Sequence, residues 1–437
     1  MSEDVQTPNA AVSNRAGTGS PLRPWLMWGA GALFFCYAFF QRVAPSVMVE
    51  DLMRDFAVGA AIAGTLSSLY FYPYAALQIP AGLLVDRFGP RRVLTGAAVV
   101  AALGSVAFGM ADVIGLAYFG RGLIGTGAAM SWVAVLALAA AWFPPNRFAY
   151  LSGLTMAIGV AGGVGGQAPL SLLVDEMGWR GTLFVAAGLA TLFAVFAWTV
   201  VRDAPLRADG RSRAAAQAGA GYGLLDRLKM TVREPQVWLI GLLAGAIVAP
   251  MLSFAGLWGV PYMVGVHGMT KAEAAVVTSL MLIGWGVGSP LFGWMTDAVH
   301  RRKVPLLIAT GGALACTLAW LYAAPPLWLM YPLMILTGLF SGGIVITFAT
   351  ARENAPSASG GAVIGLVNTA VMGSAAIFQP LIGWLLDQTW SGAMANGVRV
   401  YDPSGYTEAM IVIPACQAVA LLAALLVRET YCKPRHA

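Results

Sequence analysis

The chain has 437 residues, 58% of them hydrophobic and only 11% charged, with a formal net charge of +6. Soluble domains carry about 25% charged residues, so a string of soluble domains is excluded: such a surface would aggregate in water. The positive balance does not point to nucleic acid either, because of where the cations fall.

Residues 1–23 are rich in Ser, Ala, Asn, Gly and Pro and read as a flexible tail. The first apolar run starts near Trp25 and is too long for the core of a cleaved signal peptide. A helix needs about 20 apolar residues to cross the hydrocarbon core. Twelve runs qualify: 25–48, 60–85, 92–111, 114–142, 149–174, 182–201, 236–263, 274–296, 304–323, 327–350, 361–386 and 407–427. They lack the alternation of barrel strands, so they are helices, which satisfy their own backbone in lipid. With the N-terminus placed in the cytoplasm, twenty of the 26 Lys and Arg residues fall on the inner side. The outer loops hold Arg54, Arg180, Lys271 and Arg399. This follows the positive-inside rule and puts both termini in the cytoplasm. The expected organisation is a tail (1–23), a six-helix bundle (24–201), a central cytoplasmic loop (202–235), a second six-helix bundle (236–428) and a short tail (429–437). Cys36, Cys316, Cys416 and Cys432 show no metal or disulfide pattern, and His267, His300 and His436 are isolated outside the apolar runs.

The halves repeat. Gly82, Asp86, Arg91 and Arg92 recur as Gly293, Asp297, Arg302 and Lys303, an offset of 211. Gln167 and Asp175 recur as Gln379 and Asp387, an offset of 212. The run 122–127 recurs loosely as 338–343. Three matches in order at nearly one offset indicate duplication. Two such halves with a site between them at mid-membrane are an architecture of secondary transporters.

Gly82-Leu-Leu-Val-Asp-Arg-Phe-Gly-Pro-Arg-Arg92 resembles the loop signature of the major facilitator superfamily, and Gly293-Trp-Met-Thr-Asp-Ala-Val-His-Arg-Arg-Lys303 its second copy. Arg121-Gly-Leu-Ile-Gly-Thr-Gly127 is similar to that family's fourth-helix motif. The resemblance covers about 24–430 and implies an all-α fold of twelve membrane helices in two pseudo-symmetric bundles. Tyr37-Ala-Phe-Phe-Gln-Arg42 and the Tyr-rich second helix resemble the organophosphate and organic-anion permeases. Two departures stand out. The seventh span has no cation, which argues against phosphate esters. The fifth span has Gly162-Gly-Val-Gly-Gly166 and lacks the Gly-Pro pair of drug–proton antiporters.

Two cations lie inside spans, Arg42 and Arg121. A cation there is costly and is a functional candidate by default. Arg42 lies about 17 residues into the first span with no carboxylate in any span to pair with, so a backbone carbonyl, a remote acid such as Glu50, or an anionic solute must meet it. The guanidinium fork suits carboxylate or phosphate. Tyr70, Tyr74 and Gln78 are four apart and form one stripe of the second span. Gln167, Asn368 and Gln379 are in-span amides that contact solute or join helices. Trp258 and Trp285 are expected to pack. The candidate binding set is therefore Arg42, Tyr70, Tyr74, Arg121, Gln167, Asn368 and Gln379. The candidate gating set is Gly82, Asp86, Arg91, Arg92, Gly293, Asp297, Arg302 and Lys303: glycines for close helix approach, charges to bias a two-state equilibrium.

No catalytic set, phosphate loop or metal site is evident, so no enzyme and no cofactor are expected. With no acid or histidine inside a span, exchange or substrate-borne proton movement is expected rather than a dedicated proton carboxylate. The reading is a monomeric transporter of the bacterial inner membrane that moves a small organic anion by alternating access, with lipid and solute as partners and no nucleic acid. The alternatives are a proton-driven exporter of drugs or siderophores and a transporter-like solute sensor.

Overall fold

A computed structural model describes residues 22–144, 147–203, 224–356 and 361–435. The expected N-terminal tail and most of the central loop lie outside the described residues. Within the loop region, Leu224–Arg233 forms a helix with Asp226 in its first turn and Arg233 in its last, where only polar loop was expected.

Ten stretches among the described residues are long and apolar enough to cross a membrane. One of them, Tyr150–Val200, has 51 residues. That is about 75 Å of helix at 1.5 Å per residue, far more than a hydrocarbon core of about 30 Å. It turns at Gly178 (φ 73°), which separates a fifth span from a sixth. The second span is built of Ala60–Ser68, Phe71–Ala76 and the helix that starts at Gln78. That helix turns into the third span at Gly89 (φ 78°), just before Pro90. A residue before proline is pushed out of the helical region, and glycine alone takes this φ without strain. The Asp203 carboxyl carbon also lies 2.7 Å from where a Cβ on Gly89 would sit.

The first span is Arg23–Val43, followed by the short turn Ala44–Val47 and the helix Val49–Asp55. The fourth is Ile114–Ala129 with Ser131–Trp142, and the fifth begins at Phe148. The seventh runs from Pro235 to His267, longer than expected, and ends on a left-handed Gly268. The eighth to twelfth spans are Lys271–Val299, Lys303–Tyr322, Leu327–Asn354, Gly361–Gln388 and Pro403–Leu426. A two-residue hairpin, Met394–Ala395 with Val398–Arg399, lies between the last two. This grouping agrees with the twelve spans expected.

The packing repeats every six spans. The first span packs on the fourth and fifth, and the seventh on the tenth and eleventh. The third packs on the fourth and sixth, and the ninth on the tenth and twelfth. Among the described residues the halves meet chiefly where the second span packs on the eleventh, the fifth on the eighth and the first on the seventh. Leu33, Leu103, Leu192 and Leu422 point outward and are exposed, as suits a surface solvated by lipid.

Candidate functional site

The first span carries Phe39 and Arg42 one turn apart, so both face the second span and the other half. Arg42 is 3% exposed. Its guanidinium carbon lies 4.1 Å from the Phe39 ring centroid, 5.3 Å from Tyr74 and 5.9 Å from Tyr70. These are cation–π distances. Nε has no hydrogen-bond acceptor, and among the described residues no carboxylate pairs with Arg42. Snorkelling to the span end does not occur: the side chain is held inward by three aromatic rings. The stripe expected on the second span is present despite its breaks. Tyr70 and Tyr74 stack at 5.7 Å, and Gln78 Nε2 donates to the Tyr74 carbonyl.

Arg121 is placed differently. It is 1% exposed, and its three nitrogens donate to backbone carbonyls of Gln41 (2.7 Å), Arg42 (3.2 Å) and Ser67 (3.4 Å). It ties the fourth span to the first and second and sits 4.9 Å over Tyr70. Each of its three nitrogens holds a backbone carbonyl, so it positions the backbone that carries Arg42.

The amides join helices. Gln167 accepts from Ser46 and Thr278 and donates to the Ala255 carbonyl. Its counterpart Gln379 donates to the Leu252 carbonyl and accepts, at its own carbonyl, from Trp258 Nε1. Both targets lie in Pro250–Trp258, a π-helical segment of the seventh span. Pro250 lacks an N–H, and the wider turn disturbs the usual carbonyl pairing. The duplicated glutamines therefore satisfy one irregular helix from opposite halves. Asn368 donates to Gln78 Oε1 and so also crosses between halves. Trp285 stacks on Phe39 (6.1 Å, 28°) across the halves, and its Nε1 is buried with no acceptor.

The ends of the bundle differ. At one end Asp387 of the eleventh span caps the start of the second: its carboxylate accepts from the Ala60 and Ala61 N–H groups at 3.1 and 2.9 Å. Tyr401 donates to it at 2.6 Å and Arg399 pairs with it at 3.1 Å. Burial and the Asp387 carboxylate hold the Tyr401 phenol above its usual range, so it stays a donor. The repeat partner Asp175 meets Lys271 at the start of the eighth span (3.2 Å), where Asp51 also pairs (3.3 Å). Helix contact is close here: a Cβ on Gly64 would lie 2.5 Å from the Gln379 carbonyl oxygen.

At the other end the doubled motif closes each half on itself. Arg302 pairs with Glu353 (2.7 Å) and Asp297 (3.2 Å), and Glu429 accepts from the Arg302 and Lys303 N–H groups. Lys303 Nζ donates to the Leu425 carbonyl. In the first half Arg91 donates to the Trp198 carbonyl, and its N–H to Asp203. Asp86 and Arg92 are exposed, and no ion pair joins Asp86 to Arg91 or Arg92 among the described residues. Gly82 and Gly293 have open space beside them and not the close helix expected. Among the described residues no hydrogen bond joins the halves beyond Gln78–Asn368 toward this end. A void of about 300 Å³, with Leu84, Phe88 and Arg92 among its lining residues, lies between the second, third and fourth spans, away from Arg42. Sequence reasoning missed Asp203, Glu353, Glu429, Arg399 and Tyr401; only Asp175 and Asp387 carried a signal, their place in the repeat.

Comparison with known proteins gives one family. A profile of the Major Facilitator Superfamily matches residues 30–380 and, in a second overlapping match, 251–431. The chain is 28% identical over 382 residues to the "Probable nitrate/nitrite transporter NarK2" of Mycobacterium tuberculosis, covering 84% of this chain and 87% of that protein. It is 27% identical to the D-galactonate transporter of Escherichia coli O6:H1, covering 89% and 91%. Its fold is similar to that of a bacterial homologue of the human lysosomal transporter Spinster, with a TM-score of 0.71, 17% identity, and 94% and 96% of the two chains covered.

Proposed function

This chain belongs to the major facilitator superfamily and is a multi-pass secondary transporter; from that premise we propose that it carries a small organic anion by alternating access, with Arg42 binding the anionic group. The observation that carries this reading is the Arg42 guanidinium: buried, facing rings, without a carboxylate, and with Nε unpaired. A buried cation is strongly destabilising when left alone, and an anionic solute is the partner that makes the arrangement useful. The two relatives, a probable nitrate/nitrite transporter and a D-galactonate transporter, are both named as carriers of anions.

The hydrogen bonds between halves support the cycle. They cluster from Gln78–Asn368 to the Asp387 end, and among the described residues the motif charges at the other end that are paired, Arg91, Asp297, Arg302 and Lys303, are paired within their own halves. With the termini in the cytoplasm, as the cation distribution argues, the end held together by hydrogen bonds between the halves is the outer one. Release of the Asp387 and Asp175 contacts would free the outer end, and the inner motif charges would then meet across the halves. The absence of acids within the apolar runs favours exchange or protons carried with the solute. The protein acts as a monomer of two bundles, 24–201 and 236–428, in the inner membrane.

The test is a thermal-shift screen of the purified protein against nitrate, D-galactonate, other carboxylates, phosphate esters and neutral sugars. A ligand at 100 times its Kd stabilises the native state by about 2.7 kcal/mol. Stabilisation by anions alone, and uptake of the best of them into proteoliposomes, is the expected result. Selective stabilisation by neutral or cationic solutes would refute the reading.

A further inference from the structure

We infer that the transported solute is a monoanion gripped from both halves, with Trp285 of the eighth span as the second half's ligand for its anionic head. This rests on the proposed anion site at Arg42 and deepens it. Several buried donors have no acceptor among the described residues, Trp320 Nε1 and the Ser67 and Ser253 hydroxyls among them, but Arg42 Nε and Trp285 Nε1 are the two that flank one ring shared between the halves. Their residues are 3% and 8% exposed. One ring links them: Phe39 carries the guanidinium 4.1 Å from its centroid and stacks on the indole at 6.1 Å and 28°. The donors belong to different halves, the first span and the eighth.

An indole N–H can only donate, and a buried one normally finds an acceptor. Trp258 illustrates this nearby, donating to the Gln379 carbonyl at 2.8 Å. Trp285 has the burial without the acceptor. A carboxylate or other oxyanion has lone pairs on two or more oxygens. It can take the Arg42 fork on one side and a neutral N–H on the other, and so bridge the halves.

The charge count limits the solute to one anionic group. Arg121 keeps the local potential positive, but its nitrogens are aimed at three backbone carbonyls. The cations of the second half lie at span ends or in loops, and two of them are engaged there: Lys271 with Asp51 and Asp175, Arg302 with Glu353 and Asp297. The seventh span has no Lys or Arg. A second anionic group on the solute would leave water and meet no free cation, at a cost of several kcal/mol per ion. The second half therefore reads the neutral body of the solute and contributes one N–H to its head.

The experiment uses the full-length purified protein and three matched pairs of probes: nitrate and sulfate, D-galactonate and galactarate, benzoate and phthalate. Binding is read by thermal shift and by calorimetric Kd for wild type, Trp285→Phe and Arg42→Ala. Phe keeps an aromatic ring beside Phe39 and removes the N–H together with part of the ring area. The expected result is that at least one monoanion binds, with its dianion partner about tenfold or more weaker. Trp285→Phe should weaken that monoanion about tenfold, the effect of one hydrogen bond to a charged group, while the ligand-free protein still folds, with only the small drop in melting temperature that a smaller buried ring brings. A dianion that binds as tightly as its partner, or a panel in which no monoanion binds, overturns the charge limit. If Arg42→Ala abolishes binding while Trp285→Phe leaves it intact, the assignment of Trp285 fails and the anion site stands. If Arg42→Ala leaves binding intact, the anion site itself fails.

Discussion

Replacing Asp387 by Asn perturbs the closed end at one atom. The wild-type carboxylate is 18% exposed and receives two backbone N–H groups, the Tyr401 hydroxyl and the Arg399 guanidinium. Asn keeps one acceptor oxygen and loses the charge. The charge at a partly buried helix N-terminus contributes up to about 2 kcal/mol, and hydrogen bonds to charged groups about 1.5–3 kcal/mol each. Allowing for the acceptor that remains, the closed state should lose about 2 kcal/mol, a shift of about 30-fold in its ratio to the open state. The assay is the distance between spin labels at Met177 and Met394, exposed residues of opposite halves at this end, with the four native cysteines replaced. Asp387→Asn should populate a longer distance that is minor in the wild type. An unchanged distance distribution would refute the view that this cap holds the end shut.

Gly125→Ala places a Cβ 2.1 Å from the Tyr70 carbonyl oxygen; overpacking should cost about 1–3 kcal/mol, read as a lower melting temperature. Glu429 is pulled toward a higher pKa by burial, but its bonds from the Arg302, Lys303, Tyr431 and Thr430 N–H groups outweigh this and lower it. Its stabilisation is therefore present above the usual carboxylate pKa of about 4.3 and lost as pH falls through the lowered value; Glu429→Gln should show a flatter acid limb of melting temperature against pH. Asp86→Asn should leave the melting temperature unchanged, since Asp86 is exposed here, yet slow uptake in proteoliposomes; equal turnover would make Asp86 a topology charge only.

The spans were legible because lipid demands long apolar helices, and the second, fourth and eleventh start where the apolar runs do, within a residue. The repeat was legible in Gln167 and Gln379, which do take matching roles on the seventh span. Their target was not, since Pro250 marks an irregular helix only once its neighbours are known. Arg42 stood out as a cation among apolar residues; of the rings that surround it, Tyr70 and Tyr74 were named from the sequence and Phe39, the nearest, was not. Trp285 looked like packing because sequence shows neither its stack on Phe39 nor its orphan N–H. Asp203, Glu353 and Glu429 lie at span ends, where acids are common, and only folding brings them to the motif cations. The Asp86 set was expected to carry charges that bias a two-state equilibrium; here Arg91 turns to the Trp198 carbonyl of the sixth span, 107 residues away, and to Asp203.

The central claim is that Arg42 binds the anion that is carried, and uptake into proteoliposomes tests it most directly. The solute is the anion that most stabilises the purified protein, and wild type, Arg42→Lys and Arg42→Ala are reconstituted at equal density. Lys keeps the charge and loses the fork, so uptake should fall about tenfold or more; Ala should insert normally and carry nothing above empty vesicles. Wild-type uptake by Arg42→Ala would contradict the account.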